Sequence, residues 1–362
     1  MKWDVLSQSV RGLWHTVVLC AAGPVCPCGG AAAGRQLCMH AVAVDGTMRR
    51  AWDGARGRVR IGRIPRRCPG RGCESPDGFI KYGRRKCRQK TEQRYMCRSC
   101  GRTFSGIDGF RGRHSPARAA VIALSVAAAG LSPARARNRP ALLGVTVHCD
   151  TVSKWACHYP DMMGQYSAAL RVPAGFRRHV DEACIRIPGR ERYLFAAMCG
   201  AGRFILSYRM SPTKLGFDPA GLFAAAAARA AALPRIPVTD GLPAFVPAAR
   251  KTFCRNAGPR FVHVREIHIR NEFNQNNVRE RLNGEFKDRP GGIRGMKADN
   301  PSVVSLMIAY HNFFRPHAGI GGRTPAEAAN IEIVPEPGAE SQSREAWITF
   351  IQNSALCAAA AA

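Results

Sequence analysis

Two groups of side chains in this 362-residue chain have types and spacings suited to chemistry. The first is Cys68-Pro-Gly-Arg-Gly-Cys73 and Cys97-Arg-Ser-Cys100, with 23 residues between the pairs. Zinc takes four soft ligands in a tetrahedron, and two short knuckles at hairpin turns supply them. The second pair has the favoured spacing; the first, with four residues between its cysteines, sits at the edge of the usual range. The reading is one structural Zn2+, against the alternative of unpaired thiols; Cys87, in a basic turn, is a bystander. The second group is acidic: Asp181, Asp240 and Glu280, with 39 residues between the last two. Hard carboxylate oxygens suit Mg2+ (or Mn2+). Two such ions per site clamp the attacking and leaving oxygens of an in-line phosphoryl displacement. On position alone, three acids among 25 are equally read as solvated surface.

Those residues need elements to position them. Phe79–Gly83 and Gln93–Met96 alternate apolar residues with Lys and Arg, as a small ribbon with one basic face does. That face carries Lys81, Arg84, Arg85, Lys86 and Arg94. Ser115-Pro116 and Ser132-Pro133 each open a helix, and Asp150 caps a third that carries Lys154. The three read as a helix-turn-helix-like module with the last helix in the major groove, against the alternative of a plain helical link between domains. Beyond residue 175 the order of patterns is β-β-β-α-β-α-β-α, a mixed α/β sheet. Asp181 lies on its first strand. Asp240 sits at the C-terminal end of the fourth, where open α/β sheets place their sites, and Glu280 falls on a late helix.

The charge balance agrees. Lys and Arg number 54 against 25 Asp and Glu, a formal net charge of +29. Between Arg49 and Arg118 alone there are 21 basic and 5 acidic residues, over half of the surplus. Such a surplus implies an acidic polymer as partner. Membrane insertion is set aside, because the apolar stretches Ala119–Gly130 and Leu222–Leu233 fall short of the ~20 residues a spanning helix needs. Fifteen scattered cysteines in a long chain fit a reduced, cytoplasmic setting better than a disulfide framework.

In sequence order, these motifs resemble those of the DDE-type insertion-sequence transposases. The resemblance spans roughly residues 65–331. It is carried by the Cys68–Phe104 ribbon, Asp181-Glu182-Ala183, Thr239-Asp240-Gly241 and the block from Asn276 to Gly284, which reads Asn-Asn-Val-Arg-Glu-Arg-Leu-Asn-Gly. Arg294-Gly295-Met296-Lys297, Tyr310–His317 and Arg323–Ala328 follow. Arg178, Ala183 and Cys199-Gly200 depart from the family pattern.

The resemblance implies a ribonuclease-H-like core over residues 175–331 whose catalytic and Mg-binding residues are Asp181, Asp240 and Glu280. It implies strand cleavage at the element end and attack of the freed 3′-hydroxyl on target DNA. Asn277, Arg281 and Lys287 become phosphate contacts, Glu182 a neighbour outside the triad, and His311 and His317 structural residues. The expected partners are element terminal repeats and target DNA, with the chain at least dimeric on DNA, nucleoid-associated, and not on a membrane. The other segments are expected to be a disordered basic arm (1–60), a zinc ribbon (61–110), the helix-turn-helix-like module (111–165) and a flexible tail (332–362). The second reading is a catalytically decayed transposase that only binds DNA.

Overall fold

The computed structural model describes residues 59–61, 68, 73, 78–86, 91–105, 117–142, 144–175, 177–187, 190–214, 219–230, 236–239, 242–254, 264–265, 301–334 and 342–361, and the backbone of 2–6, 14–20 and 23–25. In chain order the strands are β1 (Lys2–Leu6), β2 (Trp14–Cys20), β3 (Gly23–Val25), β4 (Val59–Ile61), β5 (Phe79–Lys86), β6 (Thr91–Cys97), β7 (Thr103–Ser105), β8 (Arg177–Ile187), β9 (Arg190–Cys199), β10 (Ile205–Ser211), β11 (Ile236–Thr239), β12 (Val264–Arg265) and β13 (Ile331–Ile333). The α-helices are α1 (Ala117–Ala128), α2 (Pro133–Ala136), α3 (Asn138–Ala141), α4 (Cys149–Ala169), α5 (Pro219–Arg229), α6 (Phe245–Ala249), α7 (Pro301–Phe313), α8 (Pro325–Ala328) and α9 (Gln342–Ala361). None of the described helices is long and apolar enough to cross a membrane.

The chain divides into two compact units. One contains Met1–Arg58, Leu170–Lys287 and Arg315–Ile331; the other contains Val59–Ala169, Asp288–Phe314 and Glu332–Ala362.

The first unit is built on a five-stranded sheet in the order β10-β9-β8-β11-β12. β8, β9 and β10 form an antiparallel meander, and β11 then pairs parallel with both β8 and β12. Three antiparallel strands followed by parallel additions on the far side of the first make the mixed α/β sheet expected from the sequence. Strand alternation sorts the side chains. Phe195 of β9 faces Phe245 of α6 at 6.4 Å between ring centroids, and Phe223 of α5 meets the same ring at 6.0 Å. Ser207 of β10 donates to the Leu222 carbonyl of α5 at 2.9 Å. Arg229, which interrupts the apolar run of α5, is buried and donates to the carbonyls of Ile205 and Leu206. Burial lowers its pKa to about 10, and its guanidinium lies 5.1 Å from the Phe204 ring centroid.

The second unit holds a three-stranded ribbon, β5-β6-β7, and a helical cluster centred on α4. α4 buries Val152, Trp155, Tyr159 and Met163, and α1, α7 and α9 pack against it.

Two segments read from composition as unstructured contain described elements. Residues 332–362, read as a flexible tail from their Pro, Gly, Ser and Ala content, include the buried helix α9. Trp347, Phe350 and Ile351 recur at helical spacing, and average composition conceals that stripe. Trp347 stacks on Phe314 at 3.8 Å, while Phe350 meets Phe313 at 4.5 Å and Tyr166 at 5.2 Å. The arm 1–60, read as disordered, contributes an antiparallel sheet β1-β2-β3 and the strand β4, which pairs with β13. Trp14–Cys20 is rich in aromatic and β-branched residues, a local signal lost among the surrounding Gly, Ala and Arg. The helix predicted at Ser132-Pro133 forms as two short pieces, α2 and α3.

Candidate functional site

β8 occupies the centre of the five-stranded sheet, with β9 on one side and β11 on the other. Asp181 lies near its middle and is half-buried. Its antiparallel partner is Ala196, a side chain too short to cover the carboxylate. Val180, fully buried, pairs in parallel with Thr239, also fully buried. By alternation Val180 shares the α5/α6 face with Phe195, and Asp181 points to the opposite face.

Glu182 follows on the α5/α6 face. Its carboxylate is paired with Lys214, which also lies 5.5 Å from the Tyr193 ring centroid. Adjacent acids are thereby given different work: one is tied into an ion pair, and the other stands on the far side of the sheet. Asp240, Glu280, Asn277, Arg281 and Lys287 lie outside the described residues.

The cysteines converge. Sγ atoms of Cys68, Cys73, Cys97 and Cys100 all lie within 4.8 Å of one another. Cys68 and Cys100 are 3.5 Å apart, and Cys73 and Cys97 are 3.7 Å apart. A tetrahedron with Zn–S near 2.3 Å has edges of about 3.8 Å, so the four thiols fit a metal of that size. The knuckle is shaped by its own backbone. Gly101, at φ +69°, takes the left-handed conformation after the last cysteine, and its N–H donates to the Cys97 carbonyl at 2.8 Å. Burial opposes ionisation of Cys97, but the N–H groups of Cys100 and Ser99 and the side chains of Cys73 and Cys100 bring its pKa down to about 6. A ready thiolate is the form that binds zinc. Phe104 roofs the cluster, with Phe79 edge-on at 5.2 Å and Tyr95 stacked at 6.1 Å.

The ribbon residues read from the sequence as DNA contacts differ in exposure. Lys81, Arg84, Arg85 and Lys86 are exposed along β5. Arg94 of β6 is half-buried and donates to Thr103 Oγ1 at 3.0 Å. Lys154 is exposed on α4. At the first turn of α4, His148 Nδ1 lies 3.2 Å from Asp150 Oδ2 with Cys149 alongside, a cluster the sequence reading overlooked because it took Asp150 for a cap.

Comparison with known proteins adds two solved structures. No protein family matches the chain, and no curated protein does. One similar structure is the HTLV-2 integrase catalytic core domain in complex with magnesium, at 14% identity and TM-score 0.33, covering 44% of this chain and 98% of that one. Another is the simian T-cell lymphotropic virus intasome in complex with PP2A regulatory subunit B56 gamma, at 15% identity and TM-score 0.31, covering 48% of this chain and 62% of that one. The strand order of the sheet, independent of these likenesses, is what defines the fold.

The later motif blocks have structural duties. Tyr310, Phe313 and Phe314 pack α7 against the aromatic side chains of α9. Thr324 and Glu327 form a reciprocal capping box at α8: the Thr324 hydroxyl accepts from the Glu327 N–H at 3.2 Å, and the Glu327 carboxylate accepts from the Thr324 N–H at 2.8 Å. His311 and His317 are buried.

Proposed function

We propose that this chain is a metal-dependent DNA strand-transferring enzyme of the DDE type, a transposase that cuts insertion-sequence ends and joins them to target DNA. The observation that carries the reading is the parallel register of Val180 with Thr239. Asp181 follows Val180 on β8, and in sequence Asp240 follows Thr239; this reading takes the two acids as partners at one metal site. Glu280 completes the set in this reading, supported by its place in the Asn-Asn…Glu-Arg-Leu-Asn-Gly block.

Divalent cations bound there would supply an activated oxygen nucleophile and offset charge on the phosphodiester. The protein's part is to hold Asp181 fixed on a central strand, where the sheet prevents it from swinging. Asn277, Arg281 and Lys287 neutralise nearby phosphates. The ribbon, organised by one Zn2+, and the helical module with Lys154 recognise the element end in a homodimer or larger assembly on DNA in the cytoplasm.

Strand cleavage and joining of element-end DNA with Mg2+ or Mn2+ tests this. Wild-type protein is expected to do both, and Asp181→Asn and Asp240→Asn are each expected to lose about a thousandfold in rate, the several kcal/mol that metal stabilisation supplies. Wild-type protein that binds DNA yet cleaves no faster than Asp240→Asn would leave the non-catalytic DNA-binding reading in its place.

A further inference from the structure

The ribbon contains a feature that neither zinc binding nor phosphate contact uses. Lys81 of β5 pairs with Tyr95 of β6, but the next pair is Arg84 with Gln93. Tyr82 and Gly83 together therefore stand opposite Arg94 alone, which is a β-bulge. Gly83 has φ +78°, a conformation that L side chains rarely adopt, and its carbonyl accepts from Gln93 Nε2 at 2.8 Å. Bulges re-aim the side chain they carry, and here that side chain is an aromatic ring.

Tyr82 is 49% exposed, and the only other exposed large hydrophobic among the described residues is Leu142. The ribbon does not need this ring for its core. Phe79, Tyr95 and Phe104 already pack around the cysteines, and alternation puts Tyr82 and Arg94 on the other face of the sheet. The guanidinium of Arg94 lies 5.7 Å from the Tyr82 ring centroid, and Thr103 holds its other side. The ring is thus steadied by a cation while about half of the residue stays exposed. All four basic residues of β5 are exposed; by register Arg85, opposite Glu92, shares the Tyr82 face, while Lys81, Arg84 and Lys86 lie on the other.

Charge alone would suffice to grip a duplex, whose phosphates lie outside and whose bases are already stacked on one another. A half-exposed aromatic ring beside cations matches a different ligand, a strand with unpaired bases. Every base has a π-face, and stacking on a protein aromatic contributes about 1–3 kcal/mol per base. We infer that the bulge of β5 is a single-stranded DNA site, in which one unpaired base stacks on Tyr82 while Arg85, on the same face, meets an adjoining phosphate. This rests on the DNA-binding part of the proposed function and is independent of catalysis.

The test uses the full chain carrying Asp181→Asn, so that no strand is cut, and a short fluorescein-labelled oligothymidylate beside a duplex of equal length. Fluorescence anisotropy should show that Tyr82→Ala weakens single-strand binding about tenfold, toward the lower end of the stacking range. Duplex affinity should stay within about twofold, and Tyr82→Phe should bind as the parent does. The salt dependence should be unchanged in Tyr82→Ala, which removes no charge, and shallower by about 0.7 in log–log slope for Arg85→Ala. Zinc content and melting temperature of each variant verify folding. The inference fails if Tyr82→Ala binds oligothymidylate as the parent does, or if it loses single-strand and duplex binding equally. It fails also if oligouridylate binds more tightly with the same Tyr82 dependence, which would assign the site to RNA. Absence of strand cleavage by the wild-type enzyme would sink the catalytic proposal and leave this result standing.

Discussion

Arg178 and Cys199 stand directly opposite each other in the β8–β9 ladder, and both are buried. These are two of the positions at which the sequence departs from the transposase pattern, and the fold makes them neighbours. Burial pushes the Cys199 thiol up, but the Arg178 guanidinium and the N–H groups of Gly202, Gly175 and Ala201 outweigh it and leave the thiol below its ordinary value. Arg178 also donates to the Gly175 carbonyl. A cation buried in the sheet is thus faced by a group able to become its counter-ion.

The Cys199 thiol makes stability depend on pH. Its folded pKa is depressed relative to the unfolded chain, so the unfolded state binds more protons between the two values and stability rises with pH there. The contribution is full above the unfolded thiol value and is lost as pH falls through the folded one. Thermal melts should show this rise approaching about pH 8.5, the unfolded thiol value. Cys199→Ala should flatten it, and an unchanged slope would refute the pairing.

Asp181 and Glu182 are adjacent yet should behave differently. Glu182→Gln removes the ion pair with the half-exposed Lys214, so it should cost no more than about 1 kcal/mol of stability and leave strand transfer within a few-fold of wild type. Asp181→Asn should do the reverse, with stability kept and activity lost. Chemical denaturation and a joining assay on both proteins separate the two roles.

Purified protein should contain one zinc per chain by elemental analysis. Cys97→Ser removes a fully buried ligand at the centre of the cluster, and it should lose the metal and with it the binding of element-end DNA. Cys87→Ser, at a cysteine that the pair spacing leaves out, should keep both. Full zinc retention in Cys97→Ser would refute the four-thiol site.

The C-terminal helix should be indispensable to the second unit. Phe350 is fully buried among Phe313, Phe314 and Tyr166. Phe350→Ala should cost about 3–5 kcal/mol in denaturant unfolding. Thr324→Ala, which breaks only the cap of α8, should cost about 1 kcal/mol. Equal, small effects would mean that α9 adds little to the fold.

The cysteine spacing and the order of strand and helix patterns were enough to read the ribbon and the mixed sheet, because both depend on short-range signals. A knuckle is set by Cys-x-x-Cys-Gly, and a strand by alternation along its own few residues. The bulge at Tyr82 was not legible, since a bulge exists only in the register of two strands. Nor was the role of Tyr310–Phe314, whose partners on α9 lie more than 30 residues further along the chain. Only the tertiary structure decided that the residues after 341 form a buried helix, that Asp181 and Glu182 face opposite sides, and that Arg178 meets Cys199. Each of these depends on which distant segment comes to lie alongside, and pairing of that kind is fixed by packing between elements, not by the local sequence of either one.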